Sequence, residues 1–90
     1  MTPPAHRPPV VHDLKAIQPY FDEVAAGRKR FEIRFDDRGF AVGDWLCLKE
    51  WTGQEYTGQE LYAKILYITN FHQEFMYVVM SIDVFEPYEP

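Results

Sequence analysis

Gly27-Arg28-Lys29-Arg30-Phe31-Glu32-Ile33-Arg34-Phe35-Asp36-Asp37-Arg38-Gly39 carries three structural instructions in one short run. Gly27 is a natural stop for a preceding helix, because glycine reaches the left-handed backbone region at no steric cost. Residues 30–35 then alternate. Phe31, Ile33 and Phe35 fall on one side and Arg30, Glu32 and Arg34 on the other, the period of a half-buried strand. Asp36-Asp37-Arg38-Gly39 is turn chemistry.

Working back from Gly27, Pro19 suits a first helical position, where its missing N–H is not needed. Asp22 and Glu23 lie near the helix start, where the macrodipole favours acids. Ile17, Phe21, Val24 and Ala25 form an apolar stripe at helical spacing. The spacing predicts a helix over 19–26. Before it, residues 10–15 read as a strand, with Val10, His12 and Leu14 on one face.

Working forward, Val42-Gly43-Asp44 is a tight turn into a strand over 45–51. Residues 52–58 carry two glycines and read as a hairpin loop. Residues 61–69 and 75–85 read as two long strands, and Met76, Met80 and Ile82 as core. The fold class is therefore α+β and mainly β: five strands, with one helix after the first. Short links favour antiparallel pairing of consecutive strands. Five strands in so short a chain are expected to curl into a small barrel, since closure removes exposed edges.

The 90 residues make one domain at most. Residues 1–9 carry four prolines and read as a flexible arm. The domain is expected over 10–86, with an acidic tail over 87–90. Seven Phe, six Tyr and two Trp let a short chain fill its interior with few side chains. No apolar run reaches the roughly 18 residues of a membrane span, and the start does not read as a signal peptide. The single cysteine, Cys47, cannot form an internal disulfide. It reads as a small core residue and fits a reducing, cytoplasmic setting.

The formal net charge of −5 argues against a generic coat for duplex DNA, which needs excess Lys and Arg to displace counterions. The charge is uneven, however. Arg28, Lys29, Arg30, Arg34 and Arg38 are five of the nine basic residues, so the local field matters more than the total.

That basic segment is the candidate site. Arginines on a strand face suit a phosphate, and Glu32 between them can accept hydrogen bonds from a base or ribose. Lys29 stands at the helix-to-strand corner, where a cation reaches a ligand or the helix C-terminal carbonyls. Tyr56, Tyr62 and Trp51 could offer stacking surfaces for unpaired bases. The plainer alternative is that Glu32 pairs with Arg30, Arg34 or Lys15 across a solvent-facing sheet. Arg38 with Asp37 could equally be a turn held by a salt bridge, and Asp44 reads as a turn-orienting residue. His12 reads as a buried histidine donating to a backbone carbonyl. One Cys and three scattered His make no metal site. No cofactor is expected: there is no P-loop and no G-x-G-x-x-G.

Four pieces stand in order: His12-Asp13-Leu14-Lys15, then residues 27–34, then residues 37–44, then Tyr56-Thr57-Gly58. Together they resemble the ASCH domain of the PUA-like superfamily. Within it they look most like a small, uncharacterised bacterial and phage group with H-x-L-K, F-E-x-R, D-R-x-F-x-V-G-D and Y-T-G motifs. The resemblance covers about residues 11–85. It implies a PUA-like barrel and an RNA-binding role, with the glycine-lysine segment and the following strand lining a cleft. Some ASCH-like proteins are amidohydrolases of a modified cytidine nucleoside, using the lysine of G-x-K and a threonine three residues later. Lys29 matches the lysine. Glu32 stands where the threonine would be, and a carboxylate does not replace a hydroxyl nucleophile in that mechanism.

Three functions follow as expectations. The first is a module binding RNA or a nucleotide-like ligand through Arg28, Lys29, Arg30, Glu32, Arg34, Arg38 and Tyr56. The second is a small hydrolase acting on a modified nucleoside or RNA, with Glu32 as acid or base and Lys29 stabilising charge. The third is a phage-encoded domain that binds or inhibits a protein partner.

Overall fold

The computed structural model describes residues 8–85; the expected arm up to residue 7 and the acidic tail over 87–90 lie outside them. Strand β1 (Val11–Ala16) leads into helix α1 (Tyr20–Ala25), followed by β2 (Phe31–Phe35), β3 (Trp45–Trp51), β4 (Tyr56–Thr69) and β5 (Tyr77–Phe85). The element order and the mainly β class agree with the sequence. Among the described residues no helix is long and apolar enough to cross a membrane.

The pairing departs from simple succession. The sheet order is β1-β3-β4-β5-β2. Only β3, β4 and β5 form the expected antiparallel meander. β1 lies parallel to β3, and β2 skips β3 to pair antiparallel with β5. A parallel neighbour requires a crossover, and here α1 and β2 together supply it. The curled sheet is thus a half-barrel whose ends, β1 and β2, share no backbone ladder. The expected closure by strand pairing does not occur.

The concave side holds the core: Leu14 and Ala16 of β1, Leu46 and Leu48 of β3, Ala63 and Ile65 of β4, and Met80 and Ile82 of β5. Helix α1 covers it with Phe21 and Val24, which are buried, whereas Ile17 and Ala25 of the expected stripe are exposed. Gly27 has φ +79°, and the amides of Arg28 and Lys29 both bond the Glu23 carbonyl. Chain direction therefore reverses sharply between α1 and β2.

Two local expectations fail at the strand ends. Met76 is exposed with φ +69°, so β5 begins at Tyr77 and Met76 leaves the core. β4 starts earlier than its glycine suggests, because Tyr56 pairs with Trp51 in register and stacks edge-on at 4.8 Å. The turn between them is held by Thr52 Oγ1, which accepts the amides of Gln54 and Glu55.

Candidate functional site

β2 is inverted relative to its hydrophobic pattern. Phe31, Ile33 and Phe35 face outward and are 42%, 48% and 48% exposed, while Glu32 is only 4% exposed. Glu32 faces inward in register with Met80 of β5. A buried carboxylate is costly unless paired and hydrogen-bonded. Both of its oxygens are engaged: Lys29 Nζ donates to Oε1 at 2.7 Å and Arg34 Nε to Oε2 at 2.9 Å. Arg34 reaches this carboxylate because residues two apart on a strand share a face. Lys29 reaches it because the corner after Gly27 folds its side chain back, and its ammonium also donates to the Phe31 carbonyl at 2.7 Å.

The three groups line a cleft of about 510 Å³ at the mouth of the half-barrel, between the end of β1 and β2. Its walls add Lys15, Ala16, Ile17, Tyr20, Phe31 and Ile33. Lys29 lies 4.8 Å above the Phe31 ring and 5.8 Å from that of Tyr20. The cations of Lys29 and Arg34 and one doubly paired carboxylate leave the cleft with an excess of positive charge, the Lys15 ammonium lying instead over the Trp51 ring. Its walls otherwise offer aromatic and aliphatic surface.

The two unpaired sheet ends are stitched by side chains. Because β1 alternates, the carbonyls of Asp13 and Lys15 point away from β3. Arg34 Nη2 donates to Lys15 O at 2.9 Å, and Arg38 Nη1 to Asp13 O at 3.0 Å. These arginines cover the exposed edge of β1, where an open row of carbonyls would invite another strand.

A family model described as "Domain of unknown function (DUF3850)" matches residues 11–82, the span that carries both the stitched seam and the cleft. The chain belongs to the DUF3850 family. It is also 40% identical over 60 residues to the "Uncharacterized 12.9 kDa protein in GpA 3'region" of Escherichia phage P2. That match covers 67% of this chain and 55% of the phage protein.

Within this DUF3850 domain the basic segment is divided between jobs. Lys29, Glu32 and Arg34 come together as expected. Arg28 instead pairs with Glu23 on the helix surface at 2.8 Å, which holds that carboxyl below the usual carboxylate range. Arg30 donates to Gly27 O and secures the corner. Arg38 pairs with Asp37 at 3.0 Å, and hydrogen bonding to it lowers the Asp37 pKa. Arg38 is a seam residue and does not line the cleft. Tyr56 stacks on Trp51 across the hairpin and is likewise absent from the lining. Trp51 sits under the Lys15 ammonium, 4.0 Å away, so the expected platform of Trp51, Tyr56 and Tyr62 is not assembled at the cleft.

Sequence reasoning missed Tyr20 and treated Lys15 only as a counter-ion. Lys15 carried a signal, as the last residue of the H-x-L-K start. Tyr20 carried none, because a tyrosine in a first helical turn has no distinctive pattern.

His12 also differs from expectation. Its Nε2 lies 2.8 Å from Asp44 Oδ2 rather than on a backbone carbonyl. Asp44, 1% exposed, also accepts the amides of Val10 and Ala41. The Phe40 ring packs edge-on against His12 at 4.8 Å. This buried cluster ties β1 to the turn before β3. Among the described residues no three His, Cys, Asp or Glu side chains are grouped to hold a metal ion.

Proposed function

We propose that the domain binds RNA or a nucleotide-like anion in the cleft between β1 and β2, on a half-barrel of PUA-like, ASCH type. The observation that carries this reading is Glu32, clamped from both sides by Lys29 and Arg34 beside the Tyr20 and Phe31 rings. Glu32 fixes the two cations in place, so little side-chain entropy remains to be lost when an anion arrives. Lys29 and Arg34 then attract phosphate, and Tyr20 or Phe31 offers a face for an unpaired base. A single-stranded ligand suits the size of the cleft; a duplex does not enter it. Hydrolysis is the weaker reading, because both oxygens of Glu32, the one carboxylate among the described residues that line the cleft, already accept charge-assisted hydrogen bonds.

The test is fluorescence anisotropy with a mixed-sequence single-stranded oligoribonucleotide, at low and high salt. Native protein should bind with an affinity that falls as salt rises. Lys29→Ala and Arg34→Ala should each weaken binding about tenfold, the loss of one well-placed phosphate contact. Circular dichroism checks that both variants keep the fold. Native-like binding by both variants, or no native binding at low salt, rejects the cleft as the RNA site.

A further inference from the structure

The outer side of β2 opens a second surface, which meets the cleft only at Phe31 and Ile33. Cross-strand register sets Phe35 beside Tyr77, Ile33 beside Val79 and Phe31 beside Ser81. β4 extends the same face by placing Tyr67 beside Ser81 and Thr69 beside Val79. These eight positions carry no charge, although the whole chain has a formal net charge of −5. The other half of the convex surface is different: Asp13, Lys49 and Glu60 interact there in an ion-pair chain.

We infer that this uncharged face is covered by a second copy of the same chain. Two observations favour that occupant. The first is charge. Like-charged copies of an acidic chain repel one another, and a face without charge lets them meet with no buried ion and no like-charge contact. The second is area. Exposures of 42–48% for Phe31, Ile33 and Phe35, 38% for Tyr77 and 63% for Tyr67 amount to about 500 Å², at roughly 200 Å² per full aromatic side chain. Covered on each of two copies, this area comes to about 1,000 Å² in all, the lower bound of a specific interface.

The rim strand suits such a contact. Phe31-Glu32-Ile33-Arg34-Phe35 has the same apolar pattern in both directions. A two-fold axis near Ile33 therefore brings Phe31 of each copy to Phe35 of the other, the isologous arrangement expected of a dimer. Phe31 and Ile33 also edge the cleft, so the contact borders it, while Glu32 and Arg34 on the other side of β2 stay outside the contact.

Sedimentation velocity on the full chain, with light scattering, tests the proposal. A species of twice the 10.7 kDa chain mass is expected as concentration rises to about 100 µM, within reach of a modest interface. Tyr67→Lys and Ile33→Lys should each raise the dimer dissociation constant at least about tenfold. Tyr67 projects from a central strand into solvent, so its variant keeps the proposal testable if Ile33→Lys fails to fold. A native monomer across this range, aggregates without a discrete dimer, or a dimer unaffected by Tyr67→Lys would each overturn it. RNA anisotropy on the same variants separates the two proposals, since a monomeric Tyr67→Lys protein should still bind through the cleft.

Discussion

β2 and β3 are both two-sided strands, and they turn opposite chemistry inward. β3 turns Leu46 and Leu48 inward, where both are fully buried, and leaves Lys49 partly exposed. β2 turns Glu32 and Arg34 inward and leaves Phe31, Ile33 and Phe35 to solvent. The difference lies in position. β3 has neighbours on both sides and the helix above it. β2 is a sheet end whose concave side borders the cleft, so water and counter-ions reach what a closed core would exclude. Alternation therefore states that a strand is two-sided. It does not state which side meets the core.

Three measurements would break or sharpen this contrast. The largest effect belongs to β3. Leu48→Ala should destabilise the fold by about 2–5 kcal/mol, the cost of lost burial plus a cavity. Ile33→Thr in β2 should change stability by no more than about 0.5 kcal/mol, as for an ordinary surface position. Equal losses in urea melts would show that the outer face of β2 is covered in the folded monomer.

Next is the buried carboxylate. Glu32→Gln keeps the shape, removes the charge and leaves Lys29 and Arg34 facing a neutral amide. A loss of about 1–3 kcal/mol is expected, at the scale of charge-assisted bonds in a partly wetted site. Gain of stability would mean that the two cations are held by something other than Glu32.

The smallest effect concerns Cys47 on β3. It is 2% exposed, and burial pushes its thiol pKa up. The folded value lies above the unfolded one. The linked stabilisation is therefore complete below the unfolded pKa and is lost as pH rises through the folded pKa. Stability should drift down only in the alkaline range, and alkylation at neutral pH should be slow until the protein unfolds. Rapid labelling of native protein would contradict the burial.

Much of the fold was legible because its signals are local. Pro19, the acids at 22 and 23, and Gly27 marked α1. Alternation marked β2, and turn chemistry at 36–39 and 42–44 separated β2 from β3. The meander of β3, β4 and β5 followed from their short links. The exchange of partners at the sheet ends was not legible, because Phe35 and Tyr77 pair through distant chain with no local trace. The seam arginines escaped for a related reason: nothing near Arg38 in sequence announces the carbonyl of Asp13.

The amino-acid sequence alone determined where strands and helix lie, and that Lys29, Glu32 and Arg34 share a neighbourhood, since short-range geometry places them within one corner. Tertiary structure alone decided that Glu32 turns inward with both cations upon it, that Arg34 and Arg38 close the seam, and that an apolar face looks outward. Those outcomes depend on which strand lies next to which, and that is set by the packing of the whole chain rather than by any stretch of it.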